Sequence, residues 1–305
     1  MILITLEHIL TQIYFSFILV ITLVFGGTLV YPVNKLSNSV KKGIIFPFFC
    51  ITLNLIIRWF YSRHLPLSNL YESLMFFSWN FCLIPFFIDI KNPNTQWIGV
   101  ITAPSALFTH AFATLILPIE MQQSQRLIPA LQSHWLIMHV TIIFLGYVTL
   151  LCGSLSSIAL LAINLEKKLS FFTLYFRKEY SYENKRKAFH PYSFKNFRKS
   201  QMIHQIDNLS YYTIVIGFTF LTIGILSGAV WANEAWGSYW SWDPKEIWAL
   251  ITWLIFANYI HIRLNKGWEG NKPALVASLG LFFVWICYFG VNILGIGFHS
   301  YGWFL

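Results

Sequence analysis

Eight runs of about twenty apolar residues decide what this chain can fold into. A hydrocarbon core about 30 Å thick is crossed by roughly 20 residues of helix. Only structures that satisfy every backbone polar group internally survive there. The runs sit near residues 11–31, 44–61, 70–89, 97–118, 135–164, 210–231, 246–264 and 274–297. They predict an all-α, polytopic integral membrane helix bundle, one membrane domain over residues 1–305. Charge agrees with this: 11% of residues are charged, against about 25% in a soluble domain. Pro47, Pro85 and Pro104 fall inside runs, where neighbouring helices cover the freed carbonyls. The first run has no charged segment before it and no small-residue cleavage site after it, so it is expected to stay as a span.

The connections between runs then alternate sides. One side holds 17 Lys and Arg, ten of them between Lys167 and Lys199; the other holds only Arg63, Arg126 and Lys245. The positive-inside rule assigns the 17 to the cytoplasm-like face. Both termini, and residues 231–248 between the sixth and seventh runs, therefore face the opposite compartment. The basic segment 165–208 reads as a topology-fixing loop, with binding to anionic lipid headgroups as its other reading. The orientation rule already accounts for its charge, so no nucleic-acid partner is expected. Cys50, Cys82, Cys152 and Cys287 are scattered, with no CxxC pair and no CxxCH. That excludes a thiol oxidoreductase and a c-type cytochrome.

Residues 231–248 read WANEAWGSYWSWDPKEIW and carry five of the 13 tryptophans. An aromatic belt places one or two rings at a span end. Trp231, Trp236, Tyr239, Trp240 and Trp242 exceed that, and predict an aromatic platform at the membrane surface for a planar apolar ligand. Asp243, Pro244 and Glu246 have a plainer reading: N-cap, first helical residue and reciprocal cap of the seventh helix. Asn69 and Glu72 repeat the pattern at the third.

Nine histidines occur. His64, His134, His139 and His299 border the compartment of the tryptophans, whereas His261 lies about 22 Å along its helix from Glu246 at 1.5 Å per residue. Neutral imidazole is a common haem ligand, and ionisable groups within a membrane are functional candidates. Any one of them alone is more simply a hydrogen-bonded structural residue. Together, two helix-end histidines beside the platform can clamp an iron, and one deeper histidine suits a second position. Neither HExxH nor a Cys/His cluster supports zinc.

The stretch WANEAWGSYWSWDPKE resembles the tryptophan-rich "WWD" signature of the haem-handling proteins of c-type cytochrome maturation. LPLSNLYESLMFFSW, PALQSHWLIMHV, ANYIHIRL and CYFGVNILGIGFHSYG are similar to its CcsA branch in the plastid-encoded form. The likeness runs from about residue 60 to the end, and is weakest in the 165–208 segment and the first two spans. It implies that Trp231, Trp236, Trp240, Trp242 and Asp243 hold haem b as cargo on the lumenal face of a thylakoid membrane. His139 and His299 match the family's two external histidines, and so would be the axial ligands of the iron. His261 matches the transmembrane histidine, with a second ligand from a CcsB-type partner subunit. Haem would be presented to CxxCH segments of apocytochromes c, with this chain as the haem-presenting part of a lyase complex. His64 and His134 have no counterpart in that scheme. Two rival readings are a scaffold of the assembly complex that binds no haem, and a solute or quinone transporter. The latter would show paired, broken half-helices, and no matching halves occur.

Overall fold

The computed structural model describes residues 2–30, 43–89, 96–124, 132–178, 190–265 and 267–290. These residues are helical, with short connections. In chain order the helices are α1 (Ile2–Val30), α2 (Ile45–Ser62), α3 (Leu70–Asp89) and α4 (Gln96–Ala111), which runs on as a π-turn over Phe112–Ile116. The short α5 (Ile119–Gln122) precedes α6 (His134–Lys178), α7 (His190–Trp236), α8 (Pro244–Asn265) and α9 (Asn271–Trp285), which ends in a second π-turn, Ile286–Gly290. Among the described residues, eight helices are long and apolar enough to cross a membrane, all but α5. The predicted all-α bundle is therefore observed. The first span begins at Leu3 rather than near residue 11. The segment read as a basic loop is largely helix, because α6 runs to Lys178 and α7 starts at His190.

Several polar side chains between spans are matched to one another, as suits a region from which water is excluded. Tyr14 of α1 is hydrogen-bonded to Ser78 of α3 at 2.7 Å, and Ser78 donates to the Ala106 carbonyl of α4. The indoles of Trp79 and Trp253 donate across to Thr52 and Thr222 at 2.8 and 2.9 Å. The long helices α6 and α7 pack closely because glycine lines their seam. A Cβ at Gly146 would lie 3.0 Å from the Leu221 nitrogen, and one at Gly224 would lie 3.1 Å from Ile143 Cβ. This closeness brings the α7 backbone within reach of side chains on α6.

Two polar features of this core contrast. Arg58 of α2 is buried and fully engaged: Nε donates to Glu72 at 2.8 Å and Nη1 to Glu7 at 2.7 Å, while Nη2 donates to the Gln122 carbonyl at 2.7 Å. His110 of α4 is buried with both ring nitrogens lacking a hydrogen-bond partner among the described residues, and its ring lies 4.6 Å from that of Tyr14. An unsatisfied buried polar group costs about 1–3 kcal/mol. His110→Phe keeps the ring contact and removes both orphan atoms. It is therefore expected to raise the thermal midpoint of the purified protein; a lower midpoint would show that the imidazole is satisfied.

Candidate functional site, a cavity at the tryptophan-rich end

The tryptophan-rich segment divides into three parts. Residues 231–236 are the last turns of α7, residues 244–248 open α8, and only 237–243 form the connection. Its end is held by a reciprocal cap. The Lys245 amide donates to Asp243 Oδ2 at 3.1 Å, and the Asp243 amide donates to Glu246 Oε2 at 3.2 Å. The same Glu246 carboxylate accepts the Ser241 amide at 2.9 Å and the Ser241 hydroxyl at 3.3 Å. Between them, Trp242 has φ 59°, a left-handed conformation uncommon for a bulky residue. Such a conformation persists where its flanks are over-determined, as Glu246 does here.

Beside this segment lies a cavity of about 1190 Å³, larger than the 300–1,000 Å³ usual for small-molecule pockets. Its walls come from segments far apart in the chain. The α2–α3 connection supplies Arg63 and His64, the start of α6 supplies His139, and the end of α7 supplies Trp231. The 237–246 region supplies Tyr239, Trp240, Lys245 and Glu246, while Tyr147 and Tyr288 lie deeper. Tyr288 is hydrogen-bonded to Ser73 at 2.6 Å and Tyr147 to Cys287 Sγ at 3.1 Å, which ties α9 to α3 and α6.

His139 is fixed in orientation. Its Nδ1 lies 2.7 Å from the Gly224 carbonyl, which can only accept, so Nδ1 carries the hydrogen and Nε2 the lone pair of the neutral ring. A carbonyl partner of this kind is how metal-binding imidazoles are set in their tautomer. The ring lies parallel to the Trp231 indole, 11° between planes with centroids 6.5 Å apart. Trp231 is 2% exposed and is braced edge-on by Trp236 at 4.8 Å and 73°. The chemistry of the walls therefore fits a flat apolar group carrying a metal that accepts imidazole.

The residues singled out from the sequence are distributed unevenly. His139, Trp231 and Trp240 line the cavity; Trp236, Trp242 and Asp243 do not. Trp242 is 68% exposed and meets Trp240 edge-on at 6.0 Å, while Asp243 is buried as the cap. His134 lies on a separate crevice of about 510 Å³, which Glu234 and Trp231 also line. His261 is exposed near the far end of α8, its Nδ1 3.0 Å from Asn265 Nδ2. His299 lies outside the described residues. His64, given no role from the sequence, shares the cavity with His139. No spacing signal links residues so far apart in the chain. The one clue lay in the orientation argument, which placed both on the same side.

The comparisons agree with this architecture. Residues 67–299 match the family described as cytochrome C assembly protein. A relative from Pinus thunbergii, named cytochrome c biogenesis protein CcsA, is 56% identical over 99% of both chains. Its namesake from Marchantia polymorpha is 54% identical, again over 99% of both. Among solved structures, the fold is similar to that of the cytochrome c heme lyase CcmF, with a TM-score of 0.59 at 17% identity. That likeness covers 95% of this chain but 46% of the other, so this chain spans less than half of that protein's length. The identities over the full length and the match over most of the sequence establish that the chain belongs to the cytochrome c assembly protein family.

Proposed function

We propose that this chain holds haem b as cargo in the cavity and presents it to CxxCH segments of apocytochromes c for covalent attachment. Family membership places the chain in cytochrome c biogenesis. The single observation that carries the haem reading is His139, its tautomer set by the Gly224 carbonyl and its ring parallel to Trp231 on the cavity wall. In this reading His139 gives the iron one axial nitrogen and His299 gives the other. Trp231 and Trp240 supply flat apolar walls for the porphyrin, and Lys245 lines the same cavity. Trp236 braces Trp231, and Trp242, held outward, meets the arriving protein.

His261 belongs to a second, transmembrane haem position. Its exposure on the surface of α8 suits a site completed by a CcsB-type membrane partner. The chain then sits in a plastid thylakoid membrane with the tryptophan-rich end toward the lumen. Positioning of haem and peptide is one contribution of the protein; the bond-making groups belong to haem and thiol.

The reduced absorption spectrum of the chain purified with its membrane partner tests this. Low-spin haem with two imidazole ligands is expected. A haem-free complex that still supports cytochrome c assembly would make the chain a scaffold. A gentler probe leaves every ligand in place. A Cβ at Gly228 would lie 2.5 Å from His139 Nδ1 and 2.6 Å from its Cε1, so Gly228→Ala must push the ring off the Gly224 carbonyl. Losing one hydrogen bond costs about 1 kcal/mol, so haem affinity measured by titration should fall about fivefold. Unchanged affinity would mean that this ring orientation does not matter to binding.

A further inference from the structure

His64 stands on the same cavity as His139, on a wall built for it. It follows Arg63, which ends α2 in the left-handed conformation, φ 61°, a position usually given to glycine or asparagine. His64 Nδ1 lies 3.0 Å from the Leu65 carbonyl, so it carries the hydrogen and leaves Nε2 as the basic nitrogen. Nε2 lies 3.4 Å from the Ser124 hydroxyl. Both segments that frame it are anchored on one buried cation. The 63–69 connection is held through Ser68, whose amide and hydroxyl donate to Glu72 Oε2 at 2.8 and 2.6 Å, and Glu72 Oε1 accepts from Arg58. The 119–124 turn is held by Arg58 through the Gln122 carbonyl, and the two segments are joined by Asn69 Nδ2 donating to the Gln123 carbonyl at 3.1 Å.

A porphyrin iron offers two axial positions, and the proposed function fills both with His139 and His299. The imidazole of His64 is then surplus to ligation. The reaction needs one thing that two iron ligands do not provide, a carrier for the proton that moves in each thioether bond. Resting on that reading, we propose that His64 is the acid–base residue of thioether formation. Its Nε2 takes the proton from the cysteine S–H of the CxxCH segment. The sulfur electron pair then bonds to the inner vinyl carbon of haem, and the vinyl π pair takes the proton back from the imidazolium at the outer carbon. Thiol and vinyl become one thioether, the imidazole is regenerated, and nothing is oxidised or reduced. Imidazole is the side chain suited to giving and taking a proton near neutral pH.

The test uses the full chain in native membranes, loaded with haem and given a reduced CxxCH peptide. The readouts are the haem spectrum and the mass of the covalent haem–peptide adduct. His64→Ala should keep the wild-type spectrum and slow adduct formation by about 100-fold or more. Added imidazole should restore the rate without changing the spectrum. His64→Gln, which can still donate to the Leu65 carbonyl but takes no proton, should match the alanine variant; it stands in if alanine disturbs folding. Wild-type rates in either folded variant overturn the proposal. So does a lost or shifted haem spectrum, which would make His64 an iron ligand. So does a wild-type chain that binds haem and forms no adduct. A wild-type chain that binds no haem at all fails the proposed function itself, a result separate from these.

Discussion

His139→Gly is expected to strip low-spin haem from the purified complex, and millimolar imidazole should bring it back. The glycine removes the nitrogen offered to the iron and leaves a hole of the shape that free imidazole fills. The Gly224 carbonyl that oriented the native ring remains to orient the added one. Trp231 should stay in place, because Trp236 braces it edge-on from the same helix. The absorption spectrum of the reduced protein, with and without imidazole, reads this directly. Full haem retention in the variant would move the site away from this wall, to His261 or His134. Loss without rescue would point to collapse of the cavity rather than to a missing ligand.

The second large effect concerns stability. Arg58→Met should sharply lower the yield of folded protein, because it leaves the Glu7 and Glu72 carboxylates without their cation. The Arg58 side chain is 3% exposed, and those of Glu7 and Glu72 are 9% and 0%. Breaking a buried ion pair by removing one partner costs about 3–5 kcal/mol, whereas replacing the whole group with neutral residues can be close to neutral. The triple variant Arg58→Met, Glu7→Gln, Glu72→Gln should therefore recover most of the loss. Thermal midpoints in detergent, compared across the single and triple variants, decide the matter. A single variant as stable as the wild type would show that the carboxylates find other partners. The cluster also links stability to function, since it joins α1, α2, α3 and the 119–124 turn beside the cavity.

The chain order of these elements was plain from composition because a bilayer leaves few choices. Twenty apolar residues in a row cross it as a helix whatever the neighbours are, so eight spans could be counted before any contact was known. Capping was equally local. Asp243, Pro244 and Glu246 lie within one turn, and their hydrogen bonds depend only on that turn forming. The extension of α6 and α7 into the basic segment was missed for the complementary reason. Helix that leaves the membrane need not be apolar, and hydropathy does not register it.

The tryptophans show where local reading ends. Trp231 and Trp236 are five residues apart on one helix, about 140° around its axis at 3.6 residues per turn, a spacing from which their edge-on contact could not be read. Trp240 and Trp242 belong to a connection whose direction is set by the carboxylate of Glu246. Density of a residue type in sequence therefore marked the region without giving the arrangement.

By itself, then, the sequence determined the helical membrane architecture, the span count, the cap of α8 and the family to which the chain belongs. Each of these depends on neighbours along the chain or on solvent. Only the tertiary structure decided that His64 and His139 share a cavity, that Arg58 gathers two buried acids from different helices, and that Trp242 stands apart from Trp231. These are distances between segments remote in sequence. Close glycine packing of α6 on α7 and a buried cation holding the α2–α3 connection set them, and neither leaves a periodic trace in the chain.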